Sequence, residues 1–581
     1  MFYVAYDASR LVGRPRFRAP GRFESFIMFG SLDLRGKAQT VSGMVVVAVL
    51  VVVSLLYLTV TMQRSIIVYD EGLMLFGAER VLNGDVLHRD FYAIYGPAQF
   101  YLLAGLYKLF GASVLIERAL DTVERCACVV LVFVIVDRAA PRLHAILAAT
   151  ASLIWLQYFG AYGYPLFPAL AAALAGLAFL MSTFQGAGSA SGLIAGGVCA
   201  GVVVLFRYDV GVPTFLAEGV LLALIPAPVR SGDPAPGTTS GWVRLVFTSY
   251  HMRTVARRLL MFGLGFAVVT VPVGVVFAVY GVIPDLLFDV FTTAGNYVRM
   301  RAMPFPRPAA LWANPSEFGV YLPLVLCAAA LPTIVALAGY RRAIGDVTTD
   351  RRSSTSLLVT LVVLVVMTLV LYSKGLVHVS ALFVSMGLIT SLILAAVLAQ
   401  PVRGRGWFND AVVMTALSIG GVATLCNVPK ALHEALWNFE WVRDPASWEV
   451  ASVPPELGSC RMPAGLERIA CFKVRQDRAE TVLYVQQRTA RNDPVYVGLT
   501  GHDKIFGNDI LIYFLLNRPS ATKWHQFDPG MQTTALIQER MIDELRGVKP
   551  KLIVLEKWGE LTDPNESSVS SGVTLLDDYI R

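Results

Sequence analysis

The sequence predicts a mainly α-helical, polytopic membrane protein with a small α/β domain at its C-terminal end. The chain of 581 residues is 55% hydrophobic and only 16% charged, whereas soluble proteins carry about 25% charged residues. Apolar runs of roughly 17–25 residues recur up to about residue 426, and about 20 helical residues cross the hydrocarbon core of a bilayer. Beyond residue 426 the composition becomes that of an ordinary soluble domain.

Residues 1–40 are rich in arginine and lysine but lack the compact apolar core and the small-residue cleavage site of a secretory signal. We expect this segment to be a disordered cytoplasmic arm. The net charge of +7 does not indicate a nucleic-acid partner, because the basic residues lie in short segments between apolar runs. Such residues orient a membrane protein with its basic loops in the cytoplasm.

The candidate membrane spans are 41–62, 97–111, 115–136, 144–160, 164–182, 190–206, 209–226, 259–281, 318–339, 356–372, 376–399 and 409–426. Four loops are basic: 137–143, 227–258, 340–355 and 400–408. All four are cytoplasmic only if one early candidate span does not cross the membrane. The weakest segment is 97–111, which begins at Pro97, contains Lys108 and is too short to cross. We predict that it lies in the membrane plane, which leaves about eleven crossings.

This topology places the N-terminus in the cytoplasm and three regions of the chain on the outer face. They are the first outer loop, residues 63–114, the second outer loop, residues 282–317, and the C-terminal domain, residues 427–581. The transmembrane domain, residues 41–426, also turns towards this face at 160–163, 207–209 and 373–378. Charged and polar residues of the membrane part should therefore converge on the outer side.

The C-terminal domain alternates strand and helix patterns. Short apolar runs at 495–499 and 551–555 predict buried strands, and segments 508–516 and 533–545 have helical periodicity. Cys460 and Cys471 both lie in this domain. In an extracytoplasmic domain they are as consistent with a disulfide as with two free thiols.

Two adjacent carboxylates, Asp70 and Glu71, come shortly after the first span. Asp70 can simply cap the helix that begins near Gly72, because aspartate is a preferred N-cap residue. At a membrane surface beside opposite charge, the same carboxylate can act as a general base. His88 and Asp90 follow in the same loop and are candidates for binding the substrate or its lipid phosphate. Asp70 with Asp90 can instead hold a divalent cation. The spacing does not decide between a base and a metal ligand.

Several basic residues are candidates for binding a phosphate near these acids, since guanidinium and ammonium groups pair well with phosphate oxygens. Each also has a simpler interpretation: a structural pair of Arg207 with Asp209, a solvated second outer loop, or an ordinary structural histidine. Ionisable residues within or next to a span are nevertheless functional more often than not. The candidates are Arg118, Arg207, Arg299, Arg301, Lys374 and His378.

The first outer loop resembles that of the GT-C membrane glycosyltransferases, in the protein-O-mannosyltransferase-like branch that includes the lipid A aminoarabinose transferases. The resemblance implies a sugar donor linked to polyprenyl phosphate, transfer at the outer face, and eleven or more crossings. It implies that Asp70 is the catalytic acidic residue, with Glu71 as its companion, and that Arg207, Lys374 and His378 lie near the lipid phosphate. The residues that carry it are Asp70-Glu71-Gly72, Val81-Leu82-Asn83-Gly84, Asp90-Phe91, Tyr95-Gly96-Pro97, Tyr107-Lys108-Leu109-Phe110-Gly111 and Arg118.

The sequence departs from this family at two points. Relatives often carry arginine followed by an acid before the histidine, where this chain has Lys374 and Leu376, and several have paired prolines where this chain has only Pro97. The phosphate-site residues are therefore less specific than the acidic pair.

We expect a glycosyltransferase, inverting at the transferred sugar, in the bacterial inner membrane. Its partners would be a polyprenyl-phosphate-linked sugar, a lipid, glycan or protein acceptor, and membrane lipids. No cofactor motif is present in the sequence, and a divalent cation is the one cofactor left open. The alternatives are a transporter or flippase for lipid-linked sugars and a non-catalytic factor for polysaccharide assembly.

Overall fold

The computed structural model describes residues 34–185, 189–225, 249–308, 315–343, 349–402, 405–443, 451–452, 456–458, 464–470, 472–504, 507–528, 530–557 and 563–581. Most of the predicted cytoplasmic arm, as well as Cys460 and Cys471, lies outside these residues. Residues 1–49 and 50–581 form two compact units, and the contacts described below are all within residues 50–581.

Helices account for almost all of the membrane part, and each candidate span coincides with one of them. They are α1 (Leu34–Val60), α2 (Asp70–Leu82), α3 (Pro97–Phe110), α4 (Val114–Ala139), α5 (Arg142–Tyr158), α6 (Leu166–Phe184), α7 (Ala190–Phe206), α8 (Tyr208–Leu224), α9 (Ser249–Val279), α10 (Ile283–Leu287), α11 (Thr293–Arg301), α12 (Leu322–Ala343), α13 (Thr349–Ser373), α14 (Ser385–Leu398), α15 (Trp407–Leu425) and α16 (Val428–Arg443). A π-helical turn, Phe288–Thr292, joins α10 to α11.

Within the described ranges, 6 helical segments are long and apolar enough to cross a membrane. They are Gly43–Val60, Leu166–Phe184, Met252–Val279, Leu322–Tyr340, Ser354–Leu376 and Trp407–Phe439, and the apolar helices α7 and α14 are shorter. The predicted fold class, a mainly helical polytopic membrane protein, is confirmed. The number of about eleven crossings stays a prediction, because α5 and α8 have 17 residues each and α4 buries several charged side chains.

Helix α3 occupies the segment that we predict to lie in the membrane plane. Its 14 residues give a length of roughly 21 Å at 1.5 Å per residue, which is shorter than the hydrocarbon core of about 30 Å. Phe100, Leu103 and Tyr107 are buried, while Leu109 and Phe110 are exposed. The helix therefore has one face packed on the protein and one apolar face left uncovered, as an interfacial helix requires.

The C-terminal domain contains both predicted strands and both predicted helices. Strands β4 (Val495–Leu499) and β5 (Leu552–Glu556) pair in parallel, with Val495 opposite Leu552. The helices are α17 (Gln476–Arg488), α18 (Ile510–Leu516), α19 (Ala535–Val548) and α20 (Leu575–Ile580). A small antiparallel sheet of β1 (Ala451–Ser452), β2 (Glu456–Gly458) and β3 (Lys473–Arg475) was not predicted, because strands of two or three residues carry no readable alternation.

The C-terminal domain packs directly on the first outer loop. Phe76 of α2 stacks on Tyr513 of α18, with ring centroids 4.8 Å apart. The Leu511 amide donates to the Val68 carbonyl at 3.1 Å. A Cβ atom added to Gly72 would lie 2.6 Å from the Leu511 nitrogen, so only glycine lets α2 and α18 approach this closely. The first outer loop is therefore held between the membrane helices and the domain.

We predict that Gly72→Ala destabilises the protein by about 1–3 kcal/mol, because the added methyl group would force the backbones of α2 and α18 apart. The matched control is Gly105→Ala in α3, where an added Cβ atom meets nothing within 4 Å. The measurement is the midpoint of thermal unfolding of both variants in detergent. Equal midpoints for the two variants would contradict the close packing of α18 on α2.

Candidate active site

Asp70 is the first residue of α2, and its carboxylate is partly buried. Within the described part of the chain, this carboxylate has no hydrogen-bond or ion-pair partner. The preceding residue is firmly held, since the Tyr69 hydroxyl donates to the Phe527 carbonyl at 2.6 Å and contacts Asp528 Oδ1 at 3.0 Å. Asp70 thus sits on a fixed backbone and keeps its own side chain available.

Three cations from separate parts of the chain act on the Asp70 carboxylate. Burial raises the pKa of Asp70 above its usual range, and the positive charges of Arg301, Lys374 and Arg207 oppose that rise. These cations come from the second outer loop, the end of α13 and the junction of α7 with α8. The structure therefore gathers an acid and three bases that lie far apart in the sequence.

Arg207 lies where α7 ends and α8 begins. Its guanidinium donates to both carboxylate oxygens of Asp209, at 2.9 and 2.6 Å, and to the Tyr164 hydroxyl at 3.2 Å. It also lies 4.7 Å from the ring centroid of Tyr95. Arg207 therefore forms the structural pair with Asp209, and its positive charge also acts on Asp70.

Lys374 follows the last residue of α13, and its ammonium group is buried. Within the described residues, Lys374 Nζ has no hydrogen-bond partner. It lies 4.5 Å from the ring centroid of Phe383 and 5.6 Å from that of Tyr164. A buried ammonium that makes no hydrogen bond is costly unless an anion completes its environment.

Arg301 ends α11, and His378 lies close to it. Arg301 forms an ion pair with Asp563 of the C-terminal domain at 3.6 Å. The Met303 amide donates to the Val377 carbonyl at 2.9 Å, which ties the second outer loop to the segment after α13. Burial and the positive charges of Arg301 and Lys374 lower the pKa of His378, although Asp563 opposes them. The neutral form of His378 is therefore favoured over the charged form.

Glu71 and Arg118 are engaged with each other. Arg118 Nε lies 2.6 Å from Glu71 Oε1 and Arg118 Nη2 lies 2.8 Å from Glu71 Oε2, with both side chains fully buried. Glu71 also accepts from the Ile67 amide at 2.8 Å, and Arg118 donates to the Ser65 carbonyl at 2.9 Å. This geometry makes the pair a brace for the first outer loop.

His88, Asp90 and Arg299 are also occupied elsewhere. His88 Nδ1 lies 3.0 Å from Asp289 Oδ2 and Nε2 lies 3.3 Å from the Tyr208 hydroxyl, and the His88 side chain is fully buried. Asp90 accepts from the Val86 amide at 2.7 Å and pairs with Arg89 at 2.8 Å. Arg299 makes an exposed pair with Glu566 at 3.8 Å. None of the three acts on the Asp70 carboxylate.

A metal site built from Asp70 and Asp90 finds no support in this arrangement, because the contacts of Asp90 are within its own turn. Across the described ranges, no group of three or more His, Cys, Asp or Glu side chains is placed to hold a metal ion.

Several site residues were missed by the sequence reasoning. Four tyrosines lie within electrostatic range of Asp70, whose charge acts on Tyr69, Tyr95, Tyr162 and Tyr164. The C-terminal domain adds a buried acid, Asp528, that receives hydrogen bonds from Tyr69 and Tyr92 at 3.0 and 2.9 Å. Burial raises the pKa of Asp528 to about 6. The segments Tyr95-Gly96-Pro97 and Tyr162-Gly163-Tyr164 could have indicated these tyrosines, because both lie at turns predicted to face the outer side. Asp528 is too distant in sequence to be linked to Asp70 by any pattern.

We predict that Arg118→Met destabilises the fold by about 3–5 kcal/mol, because it leaves the Glu71 carboxylate buried without its partner. The double variant Glu71→Gln with Arg118→Met should recover most of that loss. The measurement is the unfolding midpoint in detergent for the single and double variants. A stable single variant that has lost only lipid-phosphate binding would contradict the bracing role.

Comparisons with known proteins add two solved structures. No family model matches the chain, and no curated protein matches it. The crystal structure of ArnT from Cupriavidus metallidurans bound to undecaprenyl phosphate is 15% identical, covers 83% of this chain and 85% of its own, and has a TM-score of 0.42. The apo structure of the same protein is 14% identical, covers 87% and 89%, and has a TM-score of 0.48.

Proposed function

We propose that this protein is a glycosyltransferase that takes a sugar from polyprenyl phosphate, with Asp70 as the general base. One observation carries the proposal: within the described residues, the Asp70 carboxylate has no hydrogen-bond partner, and it lies within electrostatic range of the buried side-chain nitrogen of Lys374, which has none either. A resting protein gains nothing from leaving both groups unpaired, because each would be stabilised by a partner. The arrangement suits a substrate that brings an acidic proton to Asp70 and a negative charge to Lys374.

The positive side of the site matches a phosphate. Arg207 and Arg301 join Lys374 around Asp70, and each arginine is held in place by an acid, Asp209 or Asp563. A phosphodiester carries one negative charge, and the phosphate monoester that departs from it carries nearly two. Preformed cations stabilise charge that develops in this way, and they do so most strongly where water is excluded.

The reaction that fits these groups is a single displacement at the anomeric carbon. Asp70 accepts the proton of an acceptor hydroxyl, and the hydroxyl oxygen forms a bond to the anomeric carbon. The bond from that carbon to the phosphate oxygen breaks, and its electron pair leaves with the polyprenyl phosphate towards Lys374. Attack opposite to the leaving phosphate inverts the configuration at the anomeric carbon.

Burial of Asp70 supports this role. The raised pKa of Asp70 makes its carboxylate a better proton acceptor, while the positive charges of Arg301, Lys374 and Arg207 oppose that rise and favour the ionised form. The polyprenyl tail would lie among the apolar helices, and the site would open on the outer face of the bacterial inner membrane. The acceptor, whether lipid, glycan or protein, would approach beneath the C-terminal domain.

We predict that Asp70→Asn lowers transfer by about 10²–10⁴-fold, as expected for loss of a general base, and leaves binding of undecaprenyl phosphate unchanged. Lys374→Met should weaken that binding. To measure transfer, a deletion strain is complemented with each variant, and the lipid-linked sugars that accumulate are identified by mass spectrometry. Titration of purified protein with undecaprenyl phosphate measures binding.

The control for this experiment is Lys108→Gln, an exposed cation of α3 that should match the wild-type protein in both measurements. An unchanged glycan profile with well-expressed Asp70→Asn would contradict catalysis and favour an assembly factor. Lipid-linked sugar that accumulates only on the cytoplasmic side of the deletion strain would favour a flippase.

We predict that the acid side of the pH–activity profile follows ionisation of Asp70, because a protonated carboxyl cannot act as a base. Activity is therefore lost as the pH falls through the pKa of Asp70. Arg301→Gln removes a charge that lowers this pKa, so the acid limb should move to higher pH. Arg299→Gln, an exposed arginine on the same helix, is the matched control and should leave the limb in place. An acid limb that is identical in both variants would contradict the assignment.

A further inference from the structure

A cavity lies between α16, the start of the first outer loop and β3. Its volume is about 210 Å³, and it is lined by Arg64, Ser65, His433, Glu434, Trp437 and Lys473. None of these residues is among the cations that act on Asp70. The cavity is therefore distinct from the candidate active site.

The lining of this cavity is basic and aromatic. Lys473 Nζ lies 4.1 Å from the ring centroid of Trp437, and Arg64 Nε donates to Asn438 Oδ1 at 2.9 Å. His433 is a third basic side chain, while Glu434 is the acidic one in the lining and also acts on Lys430. Two permanent cations with an indole beside them complement a phosphate group that carries an organic substituent.

The cavity lies at the edge of a membrane-facing surface. The apolar segment that includes α15 continues into α16 as far as Phe439. On α16, Leu432, Leu436 and Phe439 are exposed, and their spacing of four and three residues puts them on one helical face. Tryptophan and long basic side chains are enriched where hydrocarbon meets the lipid headgroups. Arg64 follows the end of α1 by four residues.

We propose that this cavity binds the headgroup phosphate of an anionic membrane lipid, with the acyl chains lying along the apolar face of α16. Lys473 and Arg64 would pair with the phosphate, and Trp437 would pack against the glycerol. The proposal does not depend on the glycosyltransferase function.

A lipid bound here would contact α16, β3 and the start of the first outer loop, and that loop continues to Asp70. The Lys473 amide donates to the Arg64 carbonyl at 2.9 Å, and the Ser65 carbonyl accepts from Arg118, which braces Glu71. A headgroup between α16 and β3 would therefore stabilise the segment that immediately precedes the candidate base.

The test is titration of the purified full-length protein with phosphatidylglycerol, followed by native mass spectrometry in detergent. Each basic residue near an anionic headgroup contributes about fivefold to binding. We therefore expect Lys473→Gln to weaken binding about fivefold and the double variant with Arg64→Gln about 25-fold. Glu434→Gln removes the repelling acid and should tighten binding. The matched control, Lys108→Gln, is an exposed lysine of the predicted interfacial helix α3 and should bind like the wild-type protein.

Parallel titrations with phosphatidylcholine and with inorganic phosphate distinguish an anionic lipid from a zwitterionic lipid and from a free anion. Binding of phosphatidylglycerol well above that of both supports an anionic lipid site. Inorganic phosphate that binds as tightly as phosphatidylglycerol would overturn the lipid assignment in favour of a free-anion site. Unchanged phosphatidylglycerol binding in both the double variant and Glu434→Gln would overturn the proposal altogether. Weaker binding in the double variant could also result from misfolding, but the tighter binding expected of Glu434→Gln could not.

Discussion

The buried ion pair of Glu71 with Arg118 is the interaction on which the candidate site depends. Two charges taken out of water are tolerated only when their geometry is good and their remaining donors and acceptors are satisfied. Here the pair is bidentate, and the Ile67 amide and Ser65 carbonyl complete it. The brace fixes the segment between α1 and α2, so that the adjacent Asp70 is positioned without using its own carboxylate.

Adjacent carboxylates therefore have opposite tasks. Glu71 satisfies its charge inside the protein, whereas Asp70 faces cations at a distance and stays unpaired within the described residues. The same division holds among the bases. Arg118 pairs with Glu71, Arg207 and Arg301 pair with acids, and the Lys374 nitrogen has no hydrogen-bond partner within the described residues. A site that keeps one acid and one base unsatisfied stores electrostatic free energy that a matching substrate can release.

The C-terminal domain is part of this site as well as a cover for it. Its Asp563 pairs with Arg301, and its Asp528 receives the hydroxyl of Tyr69, the residue before Asp70. Close contact of α18 with Gly72 leaves no gap between the domain and α2. Both outer loops are thus held from above by a domain whose sequence carries no recognisable catalytic motif.

The sequence by itself determined the membrane class, the positions of the helices and both strands of the parallel sheet, because these depend on local hydropathy and periodicity. A contiguous motif also indicated Asp70 as the candidate base. It also indicated Arg207, Lys374 and Arg301 as charges that would meet at one face. Only the tertiary structure decided which polar groups pair with one another: Glu71 with Arg118, His88 with Asp289, and Asp528 with two tyrosines. Ion pairing depends on distances of a few ångströms between residues that are far apart in the chain, and no sequence pattern encodes such distances.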